Sequence, residues 1–131
     1  MLTIFYDGQC PLCSTEMSQL KRYDYQHQLC LEDLHQQDFA ERYPHIDPVA
    51  ANKILHGQLS NGQLVTGLDV TCLAWKTVGK HAWLQALRWP LVRPFSDAAY
   101  RFFARHRQTI SQHFKPAKVC KVCHSKHCDW E

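Results

Sequence analysis

The sequence predicts a mixed α/β domain, a small four-stranded sheet flanked by helices with extra helical material toward the C-terminus. Three observations lead there. Residues 2–6 and 29–34 are strand-like apolar runs separated by a helical pattern, which makes a β-α-β start. Residues 54–59 and 63–66 are two further strand-like runs joined by Ser60-Asn61-Gly62, and Asn-Gly between such runs marks a hairpin. The chain has 131 residues, 45% of them hydrophobic and 21% charged, enough for one domain with an ordinary core.

Each element has its own warrant. The β-branched and aromatic residues from Leu2 to Tyr6 suit a buried central strand, and Asp7-Gly8 ends it with turn chemistry. Pro11 fits the first position of a helix, where a missing N–H costs nothing, and Cys13, Met17 and Leu20 form an apolar stripe on a helix running to about Tyr23. The connection to residues 29–34 is long enough for a parallel pair with a right-handed crossover. One helical turn is expected around residues 39–42. A short helix is expected from Asp47-Pro48 to Asn52, with Asp47 as N-cap. After the hairpin, Asp69 is expected to cap a helix through Val78 that buries Val70, Leu73, Ala74 and Thr77. Residues 82–107 are helical in pattern but interrupted by Pro90 and Pro94. Their two apolar faces, Trp83, Leu84, Leu87 and Leu91, then Phe95, Ala98, Ala99, Phe102 and Phe103, are read as core packing. The order of elements is the thioredoxin-like arrangement, assigned to residues 1–110. Residues 111–131 are a polar tail rich in Cys and His.

Composition bounds the chemistry. No apolar run approaches the ~20 residues of a membrane helix, and no leader pattern opens the chain, so the expectation is a cytoplasmic protein. Seven cysteines in a reducing compartment, an odd number, point to redox chemistry, metal binding or burial rather than to a structural disulfide set. Residues 1–78 hold 5 Lys/Arg against 9 Asp/Glu, and residues 79–131 hold 10 against 3, nets of −4 and +7. In the absence of any nucleic-acid motif, the basic half is read as a solvated helix face and a basic tail. Nucleic acid is not an expected partner.

The chemistry centres on Cys10-Pro11-Leu12-Cys13. A C-x-x-C at a strand-to-helix junction reads as a redox dithiol; half of a zinc site and incidental spacing are the alternatives. Only the thiolate attacks a disulfide, and an ordinary thiol titrates near about 8.5. Cys10 occupies the N-cap position, so its sulfur is expected to accept hydrogen bonds from the amides of Leu12 and Cys13. The helix dipole adds ~0.3–1 kcal/mol, at most ~2, which is roughly one unit of titration at about 1.36 kcal/mol per unit. Cys13, one turn further in, is expected to stay protonated and to act as the resolving thiol. Asp7 has two candidate roles, turn formation with Gly8 and acceptance of the Cys13 proton.

Tyr6-Asp7-Gly8-Gln9-Cys10-Pro11-Leu12-Cys13 resembles the signature of the DCC family of predicted thiol-disulfide oxidoreductases, named for an Asp-Cys-Cys pattern that Asp7, Cys10 and Cys13 match. The resemblance extends through Asn61-Gly62, Gly67, Trp89-Pro90 and Arg93-Pro94-Phe95 to Tyr100 and Arg107. It implies a thioredoxin-like fold and disulfide reductase activity. Two departures from thioredoxin stand out. Gln9 replaces the tryptophan before the first cysteine, with Pro11-Leu12 inside the pair, closer to glutaredoxins. The nearest candidate for the proline before the third strand, Pro48, lies several residues too early and reads as helical.

Cys30 and Cys72 are read as buried, inert thiols. In the tail, Cys120, Cys123, His127 and Cys128 are a candidate zinc set, with His124 an alternative ligand. A reduced tail without structure, a second dithiol that relays electrons, and the haem-attachment string Cys120-Lys121-Val122-Cys123-His124 are the other readings of the same residues. The expected function is thiol-disulfide exchange through Cys10 and Cys13, with no cofactor required. Its expected partners are a disulfide-containing protein or small-thiol substrate and a dithiol electron donor. The contrasting reading is a non-catalytic zinc-binding or interaction module built on the cysteine clusters.

Overall fold

The first strand, β1 (Leu2–Tyr6), is fully buried on both faces, and the rest of the chain is laid down around it. The structure is a computed structural model, and it describes residues 1–113. The elements follow in the order α1 (Pro11–Tyr23), β2 (Leu29–Asp33), α2 (Phe39–Arg42), α3 (Pro48–Lys53), β3 (His56–Leu59), β4 (Leu64–Thr66), α4 (Leu68–Thr77), a 3₁₀ segment (Ala82–Arg88) and α5 (Arg93–His113). The sheet order is β2-β1-β3-β4. β1 is parallel to β2, with Leu2 opposite Leu29, and antiparallel to β3, with Leu2 opposite Leu59. β3 and β4 form the hairpin, turning at Gly62 with φ +85°. This is the four-stranded mixed sheet of a thioredoxin-like fold, as the sequence predicts.

Strand alternation splits the core in two. Leu2, Ile4 and Tyr6 pack with Met17 and Leu20 of α1 and Val70, Ala74 and Trp75 of α4. Phe5, on the opposite face, packs with Leu34, Phe39, Tyr43, Ile46 and Ala51. Phe5 meets Phe39 and Tyr43 edge-on, at centroid distances of 5.8 and 4.8 Å. At the edge of this second core the buried Glu32 of β2 takes a bidentate bond from Arg42, at 2.9 and 2.8 Å, and one from Tyr43 Oη at 3.3 Å.

The early elements match their sequence reading closely. α1 has the predicted bounds, Pro48 opens α3, and Asp47 caps α3 by accepting from the Val49 amide at 2.9 Å. The later elements differ. The N-cap of α4 is Gly67, at φ +66°, a conformation that favours glycine, and Asp69 lies in the first turn, ion-paired with Arg88. Between Pro90 and Pro94 the chain turns, so residues 82–107 are a 3₁₀ segment and a separate long helix that passes residue 110. The aromatic stripe expected in the core is largely outside: Trp83 is 65% exposed, Leu91 85%, Phe95 77% and Phe102 67%. The inward face of α5 runs instead through Ser96, Tyr100 and Arg107, one residue out of phase with Phe95 and Phe102. Among the described residues no helix is long and apolar enough to cross a membrane.

Candidate active site

The C-terminal end of β1 delivers the site. Asp7 and Gly8 form the turn that leads to Cys10, the N-cap of α1, with φ −85° and ψ 116°. Asp33, at the end of β2, pins this turn by accepting from the Gly8 amide at 3.0 Å, while Ser14 Oγ donates to the Gly8 carbonyl at 3.0 Å. A Cβ on Gly8 would overlap the Asp33 carboxylate and displace it from the Gly8 amide, which glycine avoids at this close approach. Two parallel strands and the first turn of a helix thereby fix the position of Cys10.

Cys10 and Cys13 carry free thiols. Contrary to expectation, the Cys10 sulfur does not cap α1: it takes no bond from the helix amides. It is instead hydrogen-bonded to Cys13. That bond is the first cause holding the Cys13 thiol well above its ordinary range, followed by burial and the charge on Cys10; the Arg107 guanidinium pulls the other way. Cys10 is also the more enclosed of the pair, at 2% exposure, with Cys13 half-buried.

Asp7 is 4% exposed and has three partners. Its Oδ1 accepts from the Gln9 amide at 3.0 Å and lies 2.9 Å from His35 Nε2; its Oδ2 lies 3.4 Å from Arg107 Nη2. Asp7 thus lies in the turn and in a buried charge cluster with His35 and Arg107. Arg107 comes from the far part of α5. Its Nη1 lies 3.6 Å from Cys13 Sγ, and its Nη2 donates to the backbone and side-chain oxygens of Asn52. A buried guanidinium with this many acceptors is a fixed cation, not a mobile surface charge.

A cavity of about 50 Å³ lies against Cys13, walled in part by Glu16, Tyr100 and Arg107. Burial raises the Glu16 carboxyl above its ordinary range, against a hydrogen bond from the Trp75 indole. Burial likewise pushes Tyr100 up to about 12, while its hydroxyl accepts from the Leu55 amide at 3.3 Å.

The remaining cysteines are placed apart. Cys72, in α4, is buried; its thiol donates to the Leu84 carbonyl at 3.5 Å, and burial pushes its titration up. Cys30 is buried in β2 as expected, but its sulfur is in a disulfide and is not the inert thiol the sequence suggested. Cys120, Cys123, His127 and Cys128 lie outside the described residues. Among the described residues no group of three or more His, Cys, Asp or Glu side chains is arranged to hold a metal ion.

Sequence reasoning assigned no role to Arg107, His35 or Glu16. Arg107 had a legible signal, since Tyr100, Phe103, Ala104 and Arg107 stand at i, i+3, i+4 and i+7 and end an apolar helix face on a cation. His35 had none, because it sits in a polar connection and reaches Asp7 only through the parallel pairing of β1 with β2. The family model described as DCC1-like thiol-disulfide oxidoreductase matches residues 4–113, which takes in every residue of this cluster. No curated protein and no solved structure gives a significant match.

Proposed function

The chain belongs to the DCC1-like thiol-disulfide oxidoreductase family, and from that premise we propose that it exchanges disulfides through Cys10 and Cys13, with Cys10 as nucleophile. The observation that carries this assignment is the asymmetry of the pair. The Cys13 thiol is hydrogen-bonded to Cys10 and resists deprotonation, while Cys10 stands at the N-cap of α1, so we assign the thiolate of the pair to Cys10.

The steps follow from that asymmetry. The Cys10 thiolate attacks one sulfur of a disulfide R–S–S–R′, forming Cys10–S–S–R and releasing R′–S⁻. Conversion of the Cys10 thiolate to the mixed disulfide weakens its hydrogen bond with Cys13 and removes its charge, two of the causes that hold the proton on Cys13. Cys13 then passes that proton to Asp7, while the Arg107 guanidinium, 3.6 Å from the sulfur, stabilises the thiolate that forms. This thiolate attacks the Cys10 sulfur, closes the Cys10–Cys13 disulfide and releases R–S⁻. An external dithiol returns the pair to its reduced state. The substrate is a disulfide-containing protein or small thiol, no cofactor takes part, and the cytoplasm is the compartment that supplies such a donor.

The test is a pair of variants. Cys10→Ser is expected to abolish disulfide reduction, and Cys13→Ser to accumulate a mixed disulfide at Cys10, detected by mass spectrometry. Wild-type turnover by Cys10→Ser would sink the mechanism. Zinc content measured on protein purified under reducing conditions addresses the contrasting module: one ion whose removal unmasks Cys10 would replace the exchange reading.

A further inference from the structure

Beside the dithiol runs a groove that the exchange steps leave unused. It lies between the segment Asn52, Lys53, Ile54 and the outer face of α5, with a volume of about 610 Å³. That falls within the ~300–1,000 Å³ of small-molecule sites. Every charged side chain lining it is a cation: Lys53, Arg101, Arg105 and Arg107. Arg101 and Arg105 stand one turn apart on the same helix face, where like charges repel. Neither they nor Lys53 has an ion pair among the described residues, whereas Arg42, Arg88, Arg93 and Arg107 each meet an acid. Arg107 is the shared wall. It lines the groove, lines the cavity at Cys13, and approaches the Cys13 sulfur.

We propose that this groove binds the carboxylates of a small, peptide-sized thiol, and that the substrate is the disulfide of such an anionic thiol. The cations of α5 and Lys53 hold the acidic groups, and the scissile sulfurs lie across Arg107 toward the cysteine pair. A groove of about 610 Å³ matches a low-molecular-weight compound rather than an extended protein surface. The inference rests on the exchange reading, and its stoichiometry closes without a further reagent. The reduced protein and R–S–S–R give the Cys10–Cys13 disulfide and two R–SH, two electrons passing from the dithiol to the substrate and the two thiol protons ending on the products.

Two measurements test it. S-methylglutathione, which bears carboxylates and cannot exchange, is the binding probe in calorimetry. Binding to the wild type is expected to weaken on the order of tenfold in Arg101→Gln/Arg105→Gln. It should also weaken at high salt and recover in Arg101→Lys/Arg105→Lys, which keeps the charge. No binding to the wild type, or equal binding to the Gln variant, overturns the proposal. In parallel, reduced protein is mixed with oxidised glutathione or its diethyl ester in single-turnover experiments. A several-fold preference for the free acid that shrinks toward one in the Gln variant is expected. Oxidation by both compounds at equal rates overturns the groove and leaves the exchange reading in place. Binding of S-methylglutathione with no oxidation by either disulfide overturns the substrate assignment and leaves the exchange reading to the Cys10→Ser and Cys13→Ser tests.

Discussion

Among the described residues Arg107 is the one cation hydrogen-bonded to the dithiol, and its fork cannot be reproduced by a point charge. Arg107→Met should therefore lengthen the life of the mixed disulfide at Cys10 by roughly tenfold or more, since about 1.4 kcal/mol of lost thiolate stabilisation is tenfold in rate. Arg107→Lys should recover only part. Quenched mass spectrometry of the mixed disulfide reads both, and an unchanged lifetime in Arg107→Met would remove Arg107 from the resolving step. Glu16 offers a second test with a definite sign. Its carboxyl titrates above the ordinary range when folded, so the folded protein holds a proton that the unfolded chain has released. Stability from this group is full below the unfolded value near about 4.3 and is lost as pH rises through the folded value. Glu16→Gln, which preserves an acceptor for Trp75, should flatten that fall in denaturant titrations from pH 4 to pH 8. The cysteine pair was legible in the sequence because strand, turn and proline surround it. The partner that replaces the expected helix amides was not, because that bond depends on side-chain rotamers within the first turn of α1.

At the scale of elements, β1 carries the site and also contains a conspicuous cost. Thr3 is fully buried and its hydroxyl has no hydrogen-bond partner among the described residues. Thr3→Val, nearly the same shape without the hydroxyl, should raise unfolding stability by about 1 kcal/mol in urea titrations. The Glu32–Arg42 pair joins β2 to α2, and Arg42→Ala leaves a buried carboxylate without its counter-charge, with Tyr43 Oη still bonded to it. A buried pair broken on one side costs ~3–5 kcal/mol, and the 25% exposure of Arg42 brings the expectation down to about 2–3 kcal/mol. The sequence read these N-terminal elements well because local chemistry decides them: β-branched runs, Pro11, Pro48 and the Asn61-Gly62 turn. It misread α4 and α5 because their phase is set by tertiary contacts. Gly67 supplies a positive φ that Asp69 would bear only with strain, and Tyr100, bonded to the Leu55 amide, decides which face of α5 turns inward.

For the whole molecule, the buried residues of both cores lie between Leu2 and Trp75, and α5 packs against the first of them through Tyr100. Under reducing conditions, which open the Cys30 disulfide in the full chain, a chain ending at residue 113 is therefore expected to unfold cooperatively, with the same far-ultraviolet circular dichroism per residue and a melting point within a few degrees of the full chain. Loss of cooperative melting would show that residues 114–131 are part of the folding unit. The unequal charge of the two halves, −4 and +7, also has a structural expression, since Arg107 from the basic half meets Asp7 from the acidic half.

That last contact joins residues 100 positions apart. Translation proceeds from the N-terminus at about 5–20 residues per second, so the reactive pair precedes its cation by roughly 5–20 s. During that interval the nascent dithiol lacks the guanidinium that favours resolution. A newborn chain should capture mixed disulfides that the finished one would discharge. Ribosome-bound chains stalled before residue 100 are expected to retain adducts at Cys10 longer than chains released at full length. Equal lifetimes in pulse-labelling would show that the site works before its last helix is made.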